Sequence, residues 1–116
     1  MKELNLDSGV LRVKVDGKEL SFRCDTEFAE NAANLAEEAE RRAMLAKAHN
    51  KNTPYETSAF LSYAIDTLVG DGTVETLFGE DLPDAVALCE VLSLIIDAFD
   101  EYRRARLSRL TEGVTA

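Results

Sequence analysis

The stretch from Phe60 to Phe99 constrains the fold of this chain more than any other part of it. It reads FLSYAIDTLVGDGTVETLFGEDLPDAVALCEVLSLIIDAF. An apolar helix, a Gly-Asp-Gly break, a short apolar turn ending in Leu77-Phe78-Gly79 and a long apolar helix follow one another without interruption. Apart from scattered carboxylates, no side chain in the stretch carries chemistry. In the last helix Leu88, Leu92, Ile95, Phe99 and Tyr102 recur at helical spacing. Ala87, Val91 and Leu94 widen the stripe on one flank, and Cys89 and Ile96 widen it on the other. The apolar arc spans roughly 220°, against about 100° for a helix buried on one side. Glu90, Asp97, Asp100, Glu101 and Arg104 hold the remaining strip. Such a helix is either central to its domain or shared with another chain. The flank Ala87, Val91 and Leu94 is the candidate contact for a protein partner or a second copy, unless the hairpin and the other helices cover it.

The segment boundaries can be read from local chemistry. Val10 to Val15 alternates, Asp16-Gly17 is a two-residue hairpin signal, and Lys18 to Arg23 alternates back. That turn sets Val15 opposite Lys18, Val13 opposite Leu20 and Leu11 opposite Phe22, with apolar pairs on one face. Lys14 faces Glu19 on the other face, an opposite-charge pair. Asp25 is placed to cap a first helix over about 26–48, whose stripe of Phe28, Ala32, Leu35, Ala39, Ala43 and Ala46 is thin in large side chains. Close approach but little buried area is expected of it. Glu37 to Arg41 and Glu38 to Arg42 are i,i+4 pairs. His49 to Asn52 reads as a polar connector. Thr53-Pro54-Tyr55-Glu56 then combines an N-cap, a proline at N1 and a capping-box glutamate.

The second helix, about 54–69, carries Phe60, Leu61, Ala64, Ile65 and Leu68 on one side and is expected to stop at Gly70. Thr73 is the expected cap of a short helix over about 74–78, ended by Gly79. Asp81 is the expected cap of the last helix, about 82–110, with Pro83 in its first turn. Arg103, Arg104, Arg106 and Arg109 suit the dipole at its C-terminal end, and Thr111 to Ala116 is expected to fray. The fold class is therefore α+β and mainly helical: one domain over 1–116, an N-terminal β-hairpin followed by three to four helices.

Thirteen Lys and Arg against 22 Asp and Glu give a net charge of -9. Such a surface repels phosphate backbones and anionic lipid, so neither nucleic acid nor membrane is an expected partner. No apolar run reaches the ~18 residues of a membrane span. Met1 to Val10 carries Glu3 and Asp7 and has no apolar core, so no secretory signal is expected and the chain is placed in the cytoplasm. Cys24 and Cys89 form no metal or redox motif, and each reads as a buried free thiol.

Catalytic constellations fail one after another. His49 is the single histidine and stands among polar residues, so neither a zinc motif nor a Cys-His pair can be assembled. No serine has a G-x-S-x-G context. If Gly72 is taken as the glycine of a calcium loop, Thr67, Val69 and Phe78 fall on ligand positions and only Asp71 fits. Gly70-Asp71-Gly72 lies between helices and lacks the Lys-Ser/Thr of a phosphate loop. The pairs Glu27/Glu30, Glu37/Glu40 and Asp97/Asp100 resemble the magnesium-binding pairs of all-helical nucleotide pyrophosphohydrolases. Such an enzyme requires those carboxylates to meet in one cleft. No cofactor and no catalytic or metal residue is expected otherwise.

One family resemblance covers most of the chain. The hairpin around Val13-Lys14-Val15-Asp16-Gly17-Lys18-Glu19-Leu20 and the acidic Ala-rich helix after it carry part of it. The most specific part is Ile65-Asp66-Thr67-Leu68-Val69-Gly70-Asp71-Gly72-Thr73, then Leu77-Phe78-Gly79, then the long apolar helix. In these the chain resembles the tail assembly chaperones of long-tailed phages and prophages and their relatives, which carry a similar D-x-L-x-G-x-G-T pattern followed by L-F-G. The resemblance implies a small, acidic, non-enzymatic protein that coats the long helical tape-measure protein until tail-tube subunits replace it. It assigns no contact residue. A helical regulatory or antitoxin-like protein with one short basic partner is the competing expectation.

Overall fold

Asp16 and Gly17 both adopt positive φ, 49° and 79°, the combination a type I′ hairpin turn requires. The turn fixes the register of β1 (Val10–Val15) against β2 (Lys18–Arg23), which pair antiparallel. Val13 faces Leu20, Leu11 faces Phe22 and Lys14 faces Glu19, the pairing the sequence predicts. The ion pair on the outer face is diagonal, however: Glu19 takes Arg12 at 3.5 Å, because the longer arginine reaches across the strand. The Cys24 amide donates to the Gly9 carbonyl and closes the open end of the hairpin.

The computed structural model describes residues 9–49 and 54–115, and the side chains among them except 49 and 109–115. Four helices follow the hairpin in this part: α1 (Thr26–His49), α2 (Pro54–Val69), α3 (Thr73–Phe78) and α4 (Ala85–Thr115). Asp25 caps α1 as expected, its Oδ1 accepting the Phe28 N–H at 2.9 Å. α2 begins at Pro54 and stops at Gly70; the expected cap Thr53 and the connector 50–52 lie outside the described residues, as does the side chain of His49.

Two starts differ from expectation. Thr73 is the first residue of α3 rather than its cap, and its hydroxyl donates back to the Gly70 carbonyl at 2.6 Å. Gly72, at φ 84°, occupies the cap position and has no side chain to offer. The carboxylate of Asp66 on α2 does the capping instead, accepting from Val74 N–H at 3.0 Å and Gly72 N–H at 3.4 Å. α4 starts three residues later than expected. Leu82 precedes Pro83 and is pushed away from helical geometry, and the side chain of Asp84, rather than Asp81, accepts from Val86 N–H at 2.9 Å.

At its far end α4 runs to Thr115 instead of fraying from Thr111. Its last turn therefore holds no basic residue, and the arginines act elsewhere. Arg103 lies over the Phe99 ring at 5.5 Å, and Arg106 donates to the Tyr102 hydroxyl at 2.7 Å. The side chain of Arg109 lies outside the described residues.

Phe22, Phe28, Ile65, Leu68, Val74, Leu88, Val91, Ile95 and Phe99 form the core, so every element except β1 places a buried side chain in it. Three phenylalanines join the hairpin to two helices: Phe22 stacks on Phe28 at 5.3 Å, and Phe28 meets Phe99 at 4.3 Å. Burying a side chain of this size stabilises the fold by about 1.5–3 kcal/mol. Lys18, beside the hairpin turn, donates to the Thr76 and Leu77 carbonyls at 2.9 and 3.3 Å and ties the turn to the C-terminal end of α3. The chain is elongated. Its radius of gyration is 16.9 Å, where a compact chain of this length has about 13 Å.

Candidate functional site

α4 decides the surface, because its apolar arc is wider than the core it serves. Leu88, Val91, Ile95 and Phe99 point into the core, with Leu92 and Ile96 packed against it. The two edges of the arc are left over. Leu94 is 39% exposed on one side and Cys89 is exposed on the other. Each edge lines a groove.

The first groove lies between α4, the hairpin turn and the end of α3. Val15, Phe78, Ala87, Val91 and Leu94 line it, with Lys14, Asp16 and Glu90, and it encloses about 250 Å³. The structure thus brings the three sequence-predicted contact residues together, in unequal roles. Val91 is 4% exposed and belongs to the core; Ala87 is half-buried; Leu94 is the one that offers a large apolar surface.

The second groove was not foreseen from sequence. It is a gap of about 630 Å³ between the second half of α1 and the start of α2. Ala43, Leu45 and Ala46 of α1 form one wall, Phe60 and Leu61 of α2 the other, with Cys89 of α4 also lining it. The signal was present in the thin alanine stripe: once Phe28 has docked, Ala39 and Ala43 remain exposed because their methyl groups cannot reach across to α2. Arg42 covers part of the gap, its guanidinium 4.8 Å from the Phe60 ring centre and 2.9 Å from Glu38. Arg41 also pairs with Glu38, at 2.7 Å, in place of its expected partner Glu37. That hydrogen bond from Arg41 holds the Glu38 carboxyl below the usual carboxylate range.

The thiols differ in kind. Cys24 is half-buried; loss of solvation, then the neighbouring Asp25 carboxylate, pushes it up to about 11. Cys89 is exposed on the groove, which corrects the expectation that it is buried. Its side of the helix faces the gap that α1 leaves open.

Glu27, Glu30, Glu37, Glu40, Asp97 and Asp100 are all solvent-exposed. Among the described residues no three His, Cys, Asp or Glu side chains are grouped to hold a metal ion. The juxtaposition that a magnesium-dependent reaction needs is therefore not seen there. No helix of the described residues is long and apolar enough to cross a membrane. Comparison with protein-family models, curated proteins and solved structures returns no match.

Proposed function

We propose that this chain is a non-enzymatic protein-binding protein, a prophage tail assembly chaperone that coats a tape-measure protein in the cytoplasm. The observation that carries the reading is the surplus of apolar surface on α4: the core uses the centre of the arc and leaves Leu94 and Cys89, its two edges, in open grooves. Met44, Tyr55, Tyr63 and Val86, each more than 60% accessible, add further exposed apolar side chains. A protein that shields a long apolar helix needs surface of this kind, and apolar patches rimmed by polar residues mark sites of protein interaction. The sequence resemblance supplies the identity of the partner.

A tagged pull-down from cells carrying the native prophage, read by mass spectrometry, tests the proposal. Capture of a long, helical tape-measure protein is the expected outcome. Capture of a single short basic protein instead would replace the chaperone with the regulatory reading, and capture of neither would remove the partner-binding proposal in both forms.

A further inference from the structure

Between Asn52 and Tyr102 the chain has eleven carboxylates, from Glu56 to Glu101, and neither lysine nor arginine. This span contains all of α2 and α3 and the core-forming half of α4. Phe78, Ala87, Glu90, Val91 and Leu94 of this span line the groove, with Lys14, Val15 and Asp16 of the hairpin completing it. Along α4, Ala87, Val91, Leu94 and Ala98 share a face with Glu90, Asp97 and Glu101 by helical periodicity. The carboxylates are exposed, while Val91 is buried and Ala87 and Ala98 are half-buried. The face is therefore an apolar furrow with acidic positions spaced along it. Of the two cations nearest the hairpin turn, Lys14 lines the groove, whereas Lys18 is engaged by the carbonyls of α3. Asp16 and Glu90 leave the groove with a net negative lining.

We infer that this groove docks a cationic amphipathic helix: one or two aliphatic side chains enter beside Leu94, and flanking lysines or arginines meet Glu90, Asp97 and Glu101. The volume of about 250 Å³ suits one or two side chains and is smaller than the ~300–1,000 Å³ of a small-molecule pocket. The choice of a cationic occupant rests on charge complementarity: Asp16, Glu90, Asp97 and Glu101 outnumber Lys14 and Arg104, the cations of the lining and the adjoining strip. The inference rests on the protein-binding reading and names the chemistry of the partner's docking segment.

Fluorescence anisotropy with the full chain at low salt tests it. The probe is a fluorescein-labelled amphipathic Leu/Lys helix of about 18 residues, ~27 Å long, compared with the Leu/Glu helix of the same pattern. The Leu/Lys helix is expected to bind at least about tenfold more tightly, a difference of ~1.4 kcal/mol. Leu94→Asp decides between groove and bare charge, because it removes the apolar contact while adding a negative charge. It is expected to weaken Leu/Lys binding about tenfold, whereas Glu37→Lys on α1 leaves binding unchanged. Circular dichroism checks that Leu94→Asp is folded, and Leu94→Ser serves as a second variant. Equal or tighter binding by Leu94→Asp, equal binding of the two helices, or no binding of either overturns the inference. Tape-measure capture is read separately. Undiminished capture by Leu94→Asp would remove the groove and leave the chaperone reading standing. Groove-dependent peptide binding without such capture would do the reverse.

Discussion

α1 and α4 are both long helices, yet they stand on opposite sides of a balance. α4 has more apolar surface than the domain can cover, and α1 has less than it needs to dock along its length. Among the described side chains, four of α4, Leu88, Val91, Ile95 and Phe99, lie at 0–6% exposure, while α1 buries Phe28 alone to that degree. The difference comes from side-chain volume rather than from periodicity, since both helices keep a regular stripe. Leucine, isoleucine and phenylalanine reach the core; alanine at the same spacing does not. What remains is a domain anchored at one end of α1 and open at the other.

The largest test of this contrast is core truncation. Ile95→Ala is expected to cost about 2–5 kcal/mol, and Met44→Ala, at 66% exposure on α1, about 0.5 kcal/mol or less, both read from urea unfolding midpoints. Equal effects would mean that α1 is docked as firmly as α4. Next in size is Asp66→Ala, which removes the carboxylate that caps α3 from α2. A loss of about 1 kcal/mol is expected, whereas Asp81→Ala, whose residue caps neither helix, should be nearly silent.

Glycine substitutions sharpen the comparison within α1 itself. Ala32→Gly, packed against the core, is expected to cost about 1 kcal/mol of global stability. Ala43→Gly is expected to leave the midpoint unchanged while lowering helical circular dichroism, because the second half of α1 opens without the core. The smallest effect is alkaline. Cys24 titrates at about 11 when folded, against 9.0 ordinarily, so above pH 9 the unfolded chain releases a proton that the folded chain keeps. Stability from this group is thus complete below pH 9 and declines as pH rises toward 11. Cys24→Ala should flatten that decline in pH-dependent unfolding.

Sequence reasoning reached the hairpin register because a two-residue turn leaves no freedom in pairing, and it reached the end of α2 because Gly70 closes that helix. It missed the true caps of α3 and α4. Asp66 acts from the preceding helix, a contact that exists only after α2 and α3 have packed. Asp81 and Asp84 flank the same proline, and local rules do not choose between them. For the site, Ala87, Val91 and Leu94 could be placed on one flank by periodicity, but how far the core would extend into that flank depended on where β1 and α3 settled. The wider α1–α2 groove was legible only as a shortage of large side chains. Its shape depends on how α1 and α2 pack against each other, which a one-dimensional pattern does not encode.

Hydrogen exchange along α1 reads directly how much of the helix the core holds. If the core holds only the first half, amides over 29–35, where the helical ladder begins, should exchange slowly, close to the rate set by global unfolding, and those over 39–48 should exchange much faster. Uniform slow exchange from Thr26 to His49 would contradict the account, since α1 would then be docked along its whole length and the groove beside it would not be open to a partner.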